Sequence, residues 1–289
     1  MKAIVLTIII ILLAMVSVSS AATITVGKGG YATIQEALNV SSDGDIIQID
    51  RGVYAENLFV GKSVSFIGTG EDTVIQPLMW TQPTLLIMAS NVSIEGIHLT
   101  NGSISIRSMW AENLSIKNTS IEGNSYGTWL TGSDNSVVMG NMFKENRVHL
   151  FLEDAKLTTI HQNQLKNGTN GILMILSGFN SIIDNILENC EVGLELRNSG
   201  DNLIQGNEFT NCSIGIASMI ASGNSISQNR VNTTQTFLDL TATAQNLISE
   251  NEYKDVRVFA KNYNSEDNNF IFSKLNLTGL NFEFSLTKP

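Results

Sequence analysis

Two carboxylates and a guanidinium, Glu195, Asp239 and Arg197, are the side chains whose types could support acid–base or lyase chemistry. A repeat brings them together. In a 22-residue frame starting at Val92, Glu195 and Asp239 share position sixteen two units apart, with Ala217 between them. Arg197 stands beside Glu195, and Glu153 shares the Arg197 column two units earlier. If the units stack at the ~4.8 Å spacing of paired strands, the two carboxylates lie about 9.6 Å apart. That is at or just beyond the edge of the range for a carboxylate pair that inverts a glycosidic bond. A solvated charged face is the competing reading. The same outward column carries Trp129, Phe151 and Leu173 in successive units, with Trp110 one unit earlier. Regularly spaced exposed aromatics can stack on sugar rings, and a contiguous apolar patch usually has a partner. Trp110, Trp129, Phe151 and Glu153 are therefore candidate glycan-binding residues, unless a loop or a neighbouring turn covers them.

What must position these residues is the repeat itself. Nine copies begin at 92, 114, 136, 158, 180, 202, 224, 246 and 268. Their third, eighth and fifteenth positions are almost all apolar, as in Ile94, Leu99 and Ile106 of the first copy. A fixed period of this size marks a solenoid whose units bury their apolar faces on one another. Units dense in Asn, Ser, Thr, Gly and β-branched residues cannot form helix pairs and must be coils of short strands and turns. Position six holds Asn141, Asn163, Asn185, Asn207, Asn229 and Asn251. The reading is a structural ladder at a corner, because Asn tolerates the left-handed backbone and its amide can bond up a stack. Nine coils give a rod of roughly 43 Å.

Ahead of the regular coils, Tyr31 to Val40 has helical spacing and opens with the capping-box pattern Thr33-Ile34-Gln35-Glu36. Strand-like runs follow at 46–49, 58–60, 64–67 and 85–88, separated by Gly-containing turns. The expected organisation is residues 1–22 as a signal peptide, 23–91 as a capping helix with irregular first coils, and 92–289 as regular coils of the same domain. The runs Tyr31-Ala-Thr-Ile-Gln-Glu-Ala-Leu38, Gly44 to Asn57 and Lys62-Ser-Val-Ser-Phe-Ile-Gly68 resemble the opening of right-handed parallel β-helix proteins of the pectate-lyase-like superfamily. The Asn-x-Ile-x-x-Asn units with downstream Gly-Ile, as at Gly171-Ile172 and Gly215-Ile216, resemble its NosD-like branch. The resemblance implies an all-β fold: a single right-handed parallel β-helix solenoid of 22-residue coils with a short N-terminal capping helix. It implies little about activity, since such folds host lyases, esterases, hydrolases, binding modules and inert surface proteins.

The motifs that lyases, polygalacturonases and pectin methylesterases of this superfamily would need are missing. Copper, which the NosD name implies, finds His98, His149 and His161 at positions seven, fourteen and four, unable to line one column. Met139 and Met142 near His161 could offer soft ligands, but such residues more often fill a core. No metal or cofactor is expected, calcium entering only under a lyase alternative. Cys190 and Cys212, the two cysteines, share position eleven of adjacent units, about 4.8 Å apart and within disulfide range. A bridge and a pair of packed free thiols both stay open.

Met1-Lys2, the apolar run to Val16 and Ser19-Ser20-Ala21-Ala22 form a secretory signal peptide; an uncleaved anchor is the minority reading. The net charge of −10 argues against nucleic acid or an anionic membrane as partner. Nine Asn-x-Ser/Thr sequons, at Asn39, Asn91, Asn101, Asn113, Asn118, Asn167, Asn211, Asn232 and Asn276, make glycosylation plausible on a secreted chain. The last coil is rich in Phe270, Phe272, Phe282 and Phe284 with little chain left to cover it, which suggests end-to-end association or a partner domain. The expectation is a secreted, extracellular or cell-surface protein, periplasmic in a Gram-negative bacterium. It would be non-catalytic and bind glycans along one face. The rivals are a polysaccharide lyase or glycoside hydrolase and an envelope building block.

Overall fold

The computed structural model describes residues 21–271 and the backbone of Phe282–Ser285. Residues 1–20 of the proposed 1–22 leader, the Asn276 sequon and the side chains of Phe272, Phe282 and Phe284 lie outside the described residues. Within them the chain is a parallel β-solenoid. From Ser93 onward each strand pairs with the one 22 residues on, so Ile94, Ile116, Val138, Ile160 and Ile182 are successive register partners. The earlier coils are irregular, with offsets such as 19 between Ile46 and Ser65 and 28 between Ser65 and Ser93. The short strands at positions two to four form a 12-stranded sheet among the described residues, and the remaining strands form a 19-stranded one. In two coils the second and third strands run on without a break, as Gln164–Ile175 and Ile186–Arg197.

The predicted apolar positions are the core. From Ile94 to Ile248 the position-three column is at most 2% exposed, and the position-fifteen column from Ile106 to Ala260 is fully buried. With roughly 1.5–3 kcal/mol per buried large aliphatic side chain, every coil gains from its neighbours what it cannot gain alone. The long strands carry a break in the in–out alternation that the periodicity did not reveal. Tyr126 pairs with Val148 and Thr128 with Leu150, leaving Gly127 and His149 unpaired and turned inward.

The N-terminal helix, Ile34–Val40, caps the first coil as expected. Thr33 Oγ1 accepts from Glu36 N at 3.1 Å while Glu36 Oε2 accepts from Thr33 N at 3.2 Å. Glu56 adds a second cap from the next coil, accepting from Ile34 N and Gln35 N at 2.8 and 3.0 Å.

The asparagine column is a ladder, but for one of the two reasons anticipated. The left-handed residue of that corner is position five, for example Gln162 (φ 54°), Asp184 (φ 52°) and Gln228 (φ 55°), and not the asparagine that follows. The position-six side chains turn inward and are buried. Each Oδ1 accepts both the backbone N–H and the Nδ2 of the asparagine one coil below: Asn163 to Asn185 at 3.0 and 2.9 Å, Asn185 to Asn207 at 2.9 and 2.9 Å. A buried turn needs these amides because its backbone N–H groups have no strand partner. Asn180, Asn202, Asn224 and Asn246 build a second ladder at position one.

Candidate functional site

The outward face of the long strands gathers the side chains that could meet a ligand. Register places Arg107, Trp129, Phe151, Leu173 and Glu195 in one column. Trp129 stacks at 4.9 Å from Phe151 and 5.1 Å from Tyr126, measured between ring centroids. Arg107 sits over the Trp129 ring at 4.0 Å. Trp129 Nε1 and Thr131 Oγ1 both donate to Glu153 Oε2, at 3.1 and 2.8 Å.

Two expectations about this face change. Phe151 is only 6% exposed, covered by Tyr126 and Trp129 rather than by a loop, so it supports the platform instead of offering a surface. Trp110 does not belong to the column. It lies at a left-handed turn position (φ 56°), 64% exposed and laid over Gly132, where a Cβ would come within 2.1 Å of its ring. The residue one coil before Trp129 in this column is Arg107, a cation and not an aromatic.

Beside this platform runs a groove of about 790 Å3 along the corner that leads into the long strands, lined among others by Trp80, Ser125, Arg147, Thr169 and Glu191. Arg147 joins groove to platform: its Nη2 donates to Tyr126 Oη at 2.9 Å and its guanidinium lies 5.3 Å from that ring. Trp80 is 60% exposed on the loop of residues 77–84. Asn57 fixes that loop, donating to Met79 O (3.1 Å), Gln82 O (3.3 Å) and Pro83 O (2.9 Å) and accepting from Met79 N (2.7 Å). Nothing periodic marks Trp80, since its loop precedes the regular coils. The presence of Asn57 two dozen residues earlier gives no sign of the clamp.

Farther along the column, Glu195, Ala217 and Asp239 are successive register partners, as the frame required. Both Glu195 oxygens are engaged. Arg197 Nε donates to Oε1 at 2.6 Å, and Asn170 Nδ2 donates to Oε2 at 2.7 Å. Burial raises the Asp239 carboxyl above its usual range, against the opposing charge of Lys261 one coil on. The pair is thus one carboxylate held by neighbours and one made more basic by its surroundings.

The residues do not fit copper. His98 lies between Glu71 and Glu122, at 3.2 and 3.3 Å, and His161 approaches Ile183 O at 3.2 Å. His149 is fully buried, its Nδ1 3.1 Å from Asn146 Nδ2. Because that amide donates, the proton of the neutral ring sits on Nε2, and neither nitrogen offers a free lone pair. Cys190 and Cys212 are buried free thiols that replace asparagine in the position-eleven column. They donate to Leu165 O at 3.9 Å and Leu187 O at 3.6 Å, and the contact with Cys212 together with burial pushes the Cys190 thiol up. Among the described residues no three of His, Cys, Asp and Glu converge as a metal site.

Comparison with known proteins agrees with the fold. A family model described as "Periplasmic copper-binding protein (NosD)" matches residues 65–265. A cell surface glycoprotein of Methanothermus fervidus is 32% identical over 101 residues, 34% of this chain but 17% of that protein. The polygalacturonase of Erwinia carotovora ssp. carotovora superposes with a TM-score of 0.66 at 11% identity, covering 91% of this chain and 96% of its own. The DFA-IIIase of Arthrobacter chlorophenolicus A6, in complex with DFA-III, gives 0.63 at 13% identity over 92% and 99%. At such identities the two enzymes share the fold alone.

Proposed function

The chain belongs to the NosD family of β-helix proteins, and from that premise we propose that it is a secreted or cell-surface protein that binds glycans without cleaving them. The observation that carries the reading is the Tyr126–Trp129 platform, braced by Arg107 and Phe151 and continuous through Arg147 with a polar groove ending at Trp80. Aromatic faces beside Asn, Ser, Thr and Arg donors match the alternation of C–H and O–H surfaces on a sugar. The surface glycoprotein relative and the periplasmic family description support a location outside the cytoplasm. A binding role suits Glu195, whose oxygens are both occupied, better than a catalytic one.

The test is retention of the secreted chain on a panel of immobilised acidic and neutral polysaccharides, with Trp129→Ala and Trp80→Ala beside it. Retention that drops about tenfold or more in both variants supports the reading; retention of the parent on no polysaccharide defeats it. Asp239 favours a second reading, a hydrolase in which its raised carboxyl is the general acid and Glu195 the base. New reducing ends or unsaturated products, with or without calcium, that vanish in Glu195→Gln or Asp239→Asn would establish that enzyme instead.

A further inference from the structure

We propose that Asn91, Asn101, Asn113, Asn118, Asn167 and Asn211 are N-glycosylation sites, whose glycans stand along the turns and leave the outer face of the long strands bare. All six are exposed and all six adopt left-handed backbone angles, with φ of 59°, 59°, 57°, 48°, 61° and 53° in that order, Asn167 doing so at the corner within the continuous strand Gln164–Ile175. They fall on three corners of the coil: Asn91 and Asn113 at position twenty-two, Asn118 at five, and Asn101, Asn167 and Asn211 at ten. The hydroxyl that completes each sequon is also reachable, at Ser93, Ser103, Ser115, Ser120, Thr169 and Ser213, none of them buried.

Two further described sequons differ. Ser41, which completes the Asn39 sequon, is 5% exposed and donates to Leu38 O at 2.8 Å. Thr234, which completes that of Asn232, is 1% exposed and donates to Asn232 O at 3.1 Å. Neither hydroxyl can be read on the folded surface, so Asn39 and Asn232 stay unmodified.

The amide nitrogens are available to different degrees. Asn91 and Asn167 use only Oδ1, accepting from Asn113 and Asn189 at 3.2 and 3.0 Å. Asn113, Asn118 and Asn211 each donate one N–H, to Asn91 Oδ1, Glu95 Oε1 and Asn189 Oδ1. A primary amide has two hydrogens, so substitution of one leaves the other to keep that bond. Asn91 and Asn113 are one coil apart, about 4.8 Å, which leaves room for a glycan on only one of the two in any one molecule.

The donor is a glycan linked through its anomeric carbon to a polyprenyl phosphate or pyrophosphate and presented by a separate transferase. Asn Nδ2 attacks that carbon, the new N–C bond forms as the C–O bond to phosphate breaks, and the polyprenyl phosphate or pyrophosphate leaves. One amide proton passes to a base of the transferase, so no oxidant or reductant is consumed.

At the outward positions of the long strands, thirteen, sixteen and eighteen, the described coils from Ile104 to Tyr263 hold one asparagine, Asn170, followed by Gly171 and Ile172 and so outside any sequon. The glycans therefore flank the outer face of the long strands, but Asn167 and Thr169 also line the adjoining groove, so a glycan on Asn167 narrows the groove assigned above to the ligand.

The experiment is secretion of the full chain from a host with N-linked glycosylation, followed by enzymatic deglycosylation in heavy-oxygen water and peptide mass mapping. Label is expected at Asn101, Asn118, Asn167 and Asn211 and at one of Asn91 or Asn113 per molecule, with none at Asn39 or Asn232. Absence of label at every site overturns the proposal. So does equal labelling of Asn39 and Asn232, which would mean that occupancy follows the sequon and not the folded surface.

Discussion

The guanidinium of Arg107 lies 4.0 Å from the centroid of the Trp129 ring, one rung earlier in the same column. Its Nη1 also donates to Thr131 Oγ1 at 2.6 Å, and Thr131 and Trp129 converge on the Glu153 carboxylate. With Phe151 on the next rung, the indole is held by stacking on both sides and by a hydrogen bond at its edge. A ring ordered beforehand has little freedom left to lose when a sugar lands on it.

Arg107→Met keeps the length of the side chain and removes the charge. The expected result is a loss of about 1–2 kcal/mol in urea unfolding, together with weaker polysaccharide retention as the indole loosens. Arg107→Lys should fall between the two, since a point charge stacks less well than a planar fork. An unchanged urea midpoint in Arg107→Met would show that the cation does not hold the ring.

Asn185→Ala removes the centre of the position-six ladder. Asn185 Oδ1 is the acceptor for Asn163 N and Nδ2, and its own Nδ2 serves Ile160 O at 2.9 Å and Asn207 Oδ1 at 2.9 Å. Each buried group left unpaired costs about 1–3 kcal/mol, so a total of roughly 3–5 kcal/mol is expected, at the high end for single substitutions. Asn251→Ala, at the 7% exposed end of the same ladder, should cost clearly less because water reaches it. Equal losses at the two positions would contradict the ladder account.

The period made the fold readable because it fixes which residues stack: once Ile94 and Ile116 are register partners, so are all their counterparts, and Glu195 must face Ala217 and Asp239. The backbone of the turn was less readable. Asparagine at position six looked like the left-handed corner, yet Gln162, Asp184 and Gln228 take that conformation at position five, because the buried ladder outweighs local preference. The face itself was half readable. Trp129 and Glu153 do share the outer face of adjoining coils, as the frame implied, but Phe151 lies beneath that surface and Arg107 belongs to it, because a single residue class does not mark a platform built from several. Trp80 and Asn57 meet only through an irregular loop, beyond the reach of any period.

His149 should make the fold acid-sensitive. Burial pushes its imidazole down to about 3, against a weaker opposing influence of the Lys166 backbone. Between pH ~6.5 and 3 the unfolded chain binds a proton at this residue and the folded chain does not. Stability is therefore complete above pH ~6.5 and falls as the pH drops, by up to about 1.4 kcal/mol per pH unit. His149→Phe, a residue that Phe237 and Phe259 show to be accepted at position fourteen, should flatten the melting temperature over that window. An acid limb equally steep in the variant would assign the sensitivity to other groups.

A last prediction concerns why histidine is tolerated inside this solenoid. Its ring occupies the place that a position-eleven side chain would take one coil on. A Cβ at Gly168 would lie 2.6 Å from His149 Nε2 and 2.8 Å from Asn146 O. Gly168 stands in the column of Asn124, Asn146, Cys190 and Cys212, whose side chains all point into the same row. Histidine and glycine are thus two halves of one exchange: the imidazole has moved into the row that asparagine fills elsewhere, and position eleven has lost its side chain to admit it. Gly168→Asn alone should be destabilising by about 1–3 kcal/mol through overpacking. His149→Gly alone should cost about 2–5 kcal/mol through the cavity, although Gly127, Gly171, Gly193 and Gly215 occupy that position in other coils. Together the two restore the arrangement of the neighbouring coils, with the new asparagine extending the Asn124–Asn146 pair. The double variant should accordingly be more stable than the sum of the single losses by at least 1–2 kcal/mol in a double-mutant cycle of urea unfolding. Strict additivity would show that the two positions do not share one space.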